Sequence, residues 1–332
     1  MSNQVKRTLS VLVVLCTVLA SAAWAGGAAE TGGKQIVIYM QMGGNAGDPS
    51  TLARTNGAET AAKTNGVKLV EQYSKWDPQT MIDQFKEALA ASPDGIVIMG
   101  HPGEAAFSAL VDQAEAQGII VTSGNNPLPT IEAKYQDKGF GYAGADLYAG
   151  GFLTGEVMVK AGLKKGDEAL VYDIWHQAGR SRSSQGVYDA LVKAGLKVEK
   201  LDVSNAVDSD ASLAIPILTA YIARHPNLKA IGTQHGNITS NLPKVLQAAG
   251  KKPGDIICGG IDLSPATIAG IEQGWISASF DQVLYLQGYV PVMQILATKL
   301  YKIPGLHVNT GVGMVTPQNV GEIKPLIEQG YR

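Results

Sequence analysis

Polar side chains in this sequence gather at the ends of short apolar runs. Gly43, Gly44, Asn45 and Asp48 follow "QIVIYMQ", His101 follows "DGIVIMG", and Asn125-Asn126-Pro127 follow "GIIVTSG". Further along, Trp175, His176, Arg180 and Arg182 follow "DEALVYDI", Asn205 and Asp208 follow "LKVEKLDVS", and His235 and Asn237 follow "LKAIGTQ". Asp262 closes "DIICGGID", and Asp281-Gln282 close "SASFDQ". Donors and acceptors are mixed, with charges of both signs and an aromatic. Each hydroxyl of a neutral polyhydroxylated ligand wants both a donor and an acceptor, and this set supplies them.

Other chemistries find less support. His176 and His235 lack the ligand spacing of a metal site, and no cofactor is expected. "GGNAG" lacks both the G-x-G-x-x-G pattern and a phosphate-binding lysine, and "GRSRSSQG" holds serines without a nucleophile elbow. Asp208, Asp262 and Asp281 could be recruited by an exported α/β hydrolase, but no motif pairs them. Cys258 lies in an apolar run with no basic neighbour and reads as a small buried hydrophobe. Asp48 admits two readings, helix N-cap and ligand contact, whereas Asp77 reads as a cap alone. Trp175, ending a strand, could stack on the ring of such a ligand; Trp76 admits two readings, edge residue and ligand stacking, and Trp275 reads as packing under a helix end.

The elements that must position these groups alternate. Runs such as "QIVIYMQ" (35–41), "GVKLVEQ", "DGIVIMG" and "GIIVTSG" are strand-like, and helix-period stretches separate them. Pro49 to Asn65 reads as the first helix, with Asp48 as its N-cap and Pro49 at its first position. The rhythm restarts at "DEALVYDI" (167–174), with helices near 183–194, 211–224 and 240–249. Two like halves of alternating β and α predict an α/β protein of two doubly wound parallel-sheet lobes, with ligands in the crevice beyond the carboxyl ends of the strands.

Residues 1–25 read as a secretory signal peptide: Lys6 and Arg7, an apolar stretch from Leu9 to Leu19, then Ala23-Trp24-Ala25. Residues 26–33 read as a flexible leader. Lipid anchoring at Cys16 is disfavoured by Leu15 before it, where a lipobox wants a small residue. The formal net charge is −2 with 17% charged residues, and no basic cluster follows the signal peptide, which argues against nucleic acid and polybasic membrane contacts. A single cysteine beyond residue 25 cannot form an internal disulfide.

"GIDLSP" (260–265), "FDQVLYLQGY" (280–289) and "VNTGVGMVTPQNV" (308–320), taken in order, resemble periplasmic sugar-binding proteins of ABC importers, the ribose/galactose-binding group above all. The resemblance implies a type I periplasmic binding fold with a three-segment hinge. The N-terminal lobe would comprise 34–145 and 283–312, and the C-terminal lobe 146–282 and 313–332. It implies that Asp262 and Gln282, with Asp281 beside it, hold sugar hydroxyls, and that Arg180 or Arg182 grips the ring. His235 stands where the family commonly has Asn, Asn125-Asn126 stand where ribose binders carry Asp-Arg, and the first loop offers Asp48 in place of the usual aromatics. A monosaccharide or polyol ligand, an ABC permease partner, a monomeric state and an extracytoplasmic location are implied. A receptor module reading a sugar-like signal would share these features.

Overall fold

The computed structural model describes residues 34–311 and 313–332, so the expected signal peptide, the expected leader and Cys16 lie outside the described residues. The apolar runs form strands because their side chains are buried on both faces: every residue of "GIVI" and of "IVTSG" is buried. In chain order the first group is β1 (Val37–Gly43), α1 (Leu52–Thr64), β2 (Lys68–Tyr73), α2 (Pro78–Ala91), β3 (Gly95–Ile98), α3 (Glu104–Ala116), β4 (Ile120–Gly124), α4 (Pro129–Tyr135) and β5 (Tyr142–Gly144). Next come α5 (Leu147–Lys160), β6 (Glu168–Asp173), α6 (Arg182–Lys193), β7 (Lys197–Asp202), α7 (Asn205–Ser209), α8 (Ala211–Arg224), β8 (Leu228–Thr233), α9 (Gly236–Thr239), α10 (Leu242–Ala248), β9 (Ile257–Ile261), α11 (Pro265–Glu272) and β10 (Ala278–Asp281). The chain finishes with α12 (Leu284–Tyr301), β11 (His307–Asn309), β12 (Gly313–Val315) and α13 (Val320–Glu328).

The strands sort into two six-stranded sheets, ordered β11-β5-β4-β3-β1-β2 and β12-β10-β9-β8-β6-β7. All pairs of the first sheet are parallel; in the second, only β12 runs antiparallel, against β10. Each sheet is the centre of one lobe. The chain passes between them three times: after β5 into α5, after β10 into α12, and between β11 and β12.

Local chemistry sets the helix starts. Asp77 accepts from Thr80 N at 2.7 Å, with Pro78 opening α2, and Ser264 accepts from Thr267 N at 3.1 Å, with Pro265 opening α11. The first helix departs from expectation. The Asp48 carboxylate is taken up by the turn before it, accepting from Asn45 N at 3.0 Å, so α1 begins at Leu52, with Thr51 at the cap position. Its axis lies tight against α12. A β-carbon on Gly288 would fall 1.9 Å from Arg54 O, and one on Gly57 would fall 2.0 Å from Tyr285 O. Cys258 is buried in the second lobe's core, where burial pushes its thiol up to about 12. Trp275 joins the same core. Among the described residues no helix is long and apolar enough to cross a membrane.

Candidate functional site

The carboxyl ends of both sheets meet at one cavity of about 40 Å³. Asn125, just beyond β4, lines it with Asp262 beyond β9, Gln282 beyond β10, and His235 and Gln234 beyond β8. Arg180 reaches in from the loop after β6. The first lobe adds Ser50, Arg54 of α1, Trp76 and His101. Three of these residues hold left-handed backbone without being glycine: Trp76 (φ 60°), Asn125 (φ 61°) and Asp262 (φ 69°). Such conformations cost about 1–3 kcal/mol each and collect at functional sites, where the surroundings impose them.

A continuous chain of hydrogen bonds crosses the cavity wall. His101 Nε2 donates to Asn125 Oδ1 (2.9 Å), because that oxygen can only accept. Asn125 Nδ2 donates to Gln282 Oε1 (2.9 Å) and Gln287 Oε1 (3.0 Å), and Gln282 Nε2 donates to Asp262 Oδ1 (2.7 Å). Arg54 is anchored on Met42 O (2.8 Å) and Gln287 Oε1 (3.2 Å). Arg180 forms a buried ion pair with Asp208 (2.7 Å), and Gln234 donates to the other Asp208 oxygen (3.1 Å).

Burial dominates the electrostatics. It lifts the Asp262 carboxyl to about 6, against the Gln282 hydrogen bond and the Arg54 charge, and lowers Arg54 to about 10. Burial, with help from Arg180, drops His101 to about 3, and burial also lowers His235, so both imidazoles are neutral. Trp76 is the aromatic of the site. Its ring meets His101 and His235 edge-on (5.3 and 5.5 Å between centroids), and the Arg180 guanidinium sits 5.2 Å from its centre. Its back rests on Gly43 and Gly44, where a β-carbon would come within 2.4 and 2.7 Å of the indole.

Of the residues expected at a site, Asn125, Arg180, His235, Asp262 and Gln282 come together here. The other five lie elsewhere. Asp48 sits at the rim, where Asn237 Nδ2 of the other lobe donates to it at 3.4 Å. Asn126 turns away to donate to Gly100 O (3.2 Å). Trp175 packs outside, its Nε1 on Val171 O (3.3 Å) and its ring under Lys200 Nζ (3.8 Å) and against Tyr188. Arg182 starts α6 and lines a separate surface pocket near the crossovers with Tyr142, Asp146 and His307. Asp281 pairs with Arg332 at 2.6 Å.

Sequence reasoning missed Ser50, Arg54 and Gln234, and for Trp76 it left ligand stacking as the lesser of two readings. Arg54 did carry a signal: helical spacing puts it on one face with Gly57, Ala58 and Ala61, an arginine on an otherwise small, buried stripe.

Ser50, His235 and Asp208 line up in the order of a hydrolytic triad, with Ser50 Oγ 3.2 Å from His235 Nε2. The resemblance stops there. His235 Nδ1 bonds to the main-chain Asp208 O (3.4 Å), the carboxylate oxygen is 3.5 Å away, and that carboxylate is engaged by Arg180 and Gln234. Burial lowers the basicity of His235, and its Nδ1 lacks a close carboxylate to stabilise an imidazolium, so it is a poor base. Among the described residues no group of three or more His, Cys, Asp or Glu could hold a metal ion.

The Periplasmic binding protein domain family matches residues 22–299. The chain belongs to that family. It is 28% identical over 257 residues to the xylose/arabinose-binding protein of Sulfolobus acidocaldarius, a match covering 74% of this chain and 62% of that relative's length. In fold it is similar to a carbohydrate transporter from Acidothermus cellulolyticus solved with myo-inositol (TM-score 0.77, 22% identity, 90% of this chain and 100% of that one). It is likewise similar to an ABC transporter solute-binding protein from Burkholderia graminis solved with D-arabinose (TM-score 0.74, 23% identity, 86% and 96%). The expected type I periplasmic binding fold, two parallel-sheet lobes of alternating α and β, is the fold found.

Proposed function

We propose that this protein captures a neutral monosaccharide or cyclic polyol between its lobes and hands it to an ABC permease, without chemistry on the ligand. The observation that carries the reading is the cavity wall itself. Its charged groups are compensated within the protein, Arg180 by Asp208 and Arg54 by carbonyl oxygens and the Asp262 charge, while amide and imidazole groups fill the rest. A ligand bringing its own charge would bury it without a partner, whereas hydroxyls match the amides and the carboxylate. The relatives' xylose, arabinose and inositol ligands are of this class.

Closure would follow from contacts to both lobes: the open form samples closure, and bound sugar stabilises the closed form. On this reading the N-terminal lobe is 34–145 with 283–312, the C-terminal lobe is 146–282 with 313–332, and the chain acts as a monomer exported by its signal peptide without a lipid anchor. The test is a thermal-shift screen of D-xylose, L- and D-arabinose, D-allose and myo-inositol, followed by calorimetric titration of any hit. Asp262→Ala should abolish most of the affinity with the fold intact; unchanged affinity in that variant, or no hit among neutral sugars and polyols, overturns the reading.

A further inference from the structure

Asp281 and Gln282 are adjacent but face different tasks. Gln282 lines the cavity, while Asp281 is buried beneath the segment that follows α13. Gly330 turns the chain there with φ +79°, and the next two residues lie across the crossover between β10 and α12. Arg332 Nη1 donates to Asp281 Oδ2 at 2.6 Å. Tyr331 meets Tyr285 of α12 edge-on at 5.3 Å, and Gly330 O accepts from Asn56 Nδ2 of α1 at 3.3 Å.

The helix carrying this segment belongs to the second lobe, since α13 packs on α11 and Val320 and Ile327 join that lobe's core. Asn56 and Tyr285 belong to the first lobe, on the two helices locked together at Gly57 and Gly288. The segment therefore ties the lobes on the hinge side, beside the three crossovers. Its anchor also sets crossover geometry: Asp281 Oδ1 accepts from Val283 N (2.8 Å), and Val283 holds left-handed backbone (φ 51°), a rare state for a β-branched residue.

We infer that residues 330–332 form a strap over the hinge, in which the Arg332–Asp281 pair holds the β10–α12 crossover in the shape that presents Gln282 to the ligand and restrains the lobes from opening. This rests on the reading that the lobes open and close about their crossovers.

The test uses ligand-free protein, compared as wild type, Arg332→Ala, Arg332→Lys and Asp281→Asn, by amide hydrogen exchange and small-angle scattering. Loss of one partly exposed charge-assisted hydrogen bond should speed exchange of the 282–285 amides roughly fivefold in Arg332→Ala and Asp281→Asn, with the core strands unchanged. The radius of gyration should rise in both variants, and Arg332→Lys should restore most of both signals. Crossover exchange equal to wild type, or a rise shared equally by β6, β8 and β9, overturns the strap. The clamp reading is judged separately, from the wild type: it fails if a sugar shown by calorimetry to bind leaves the scattering unchanged.

Discussion

Asp262 shows how one buried side chain couples binding to pH. Burial raises its carboxyl to about 6, so between the ordinary value of 3.8 and about 6 the folded protein holds a proton that the unfolded chain releases. Ionising it costs folding free energy as pH rises through that window, yet the ionised form accepts hydroxyl donors at both oxygens and binds them more strongly than the neutral acid does. Ligand affinity should therefore be full above pH 7 and fall about tenfold by pH 5, one unit below the folded pKa. Titrations at pH 7.5 and 5 check this, and Asp262→Asn should bind weakly at both with little slope. An equal affinity for wild type at the two pH values would remove Asp262 from the contact. The position of Asp262 was readable because it closes a strand with a recognisable "GIDLSP" sequence. Trp76 and Trp175 were not separable that way. Both follow strands by a few residues, and only the left-handed backbone at Lys75 and Trp76, invisible in sequence, swings one indole into the cavity while the other folds back over β6.

At the scale of elements, α12 links hinge, lobe and site. It begins two residues after Gln282, contributes Gln287 to the network around Asn125 and Arg54, and packs on α1 through glycines. Gly288→Ala would thrust its β-carbon to 1.9 Å from Arg54 O and 2.8 Å from Ala58 N, both backbone atoms that cannot rotate aside. Overpacking of this kind costs about 1–3 kcal/mol, so the urea midpoint should fall. Affinity should fall with it, because Arg54 and Gln287 are displaced together. A variant as stable as wild type would show that the helices can separate freely. A glycine inside an apolar helical run, as in "LQGYVPV", is the sequence mark of such a close contact. The strands β5, β11 and β12 were not read as strands. Each has three residues, too few to show a period, and each exists only because a neighbouring strand offers it an edge.

The whole molecule repeats one plan: omitting the strands added late in the chain, the sheet orders are β5-β4-β3-β1-β2 and β10-β9-β8-β6-β7. That repeat was visible as rhythm. How the lobes touch was not, because it joins residues separated by more than a hundred positions. Ser50 Oγ donates to His235 Nε2 across the cleft at 3.2 Å, and Ser209 Oγ donates to Lys75 O at 3.1 Å. The direction of the first bond follows from His235, whose Nδ1 must donate to the Asp208 carbonyl and whose Nε2 is then the acceptor of a neutral ring. Ser50 Oγ has no other hydrogen bond among the described residues, so Ser50→Ala removes a contact that exists only when the lobes meet. Such a bond is worth about 0.5–1.5 kcal/mol net. Because it favours the closed state alone, its loss should weaken apparent ligand affinity about two- to tenfold while leaving the thermal midpoint of the ligand-free protein unchanged. Titration calorimetry and a melting curve on the same preparation separate the two effects. Should the midpoint fall and the affinity hold, Ser50 would be a folding contact within its own lobe, and closure would depend on the ligand and the remaining cross-cleft bonds.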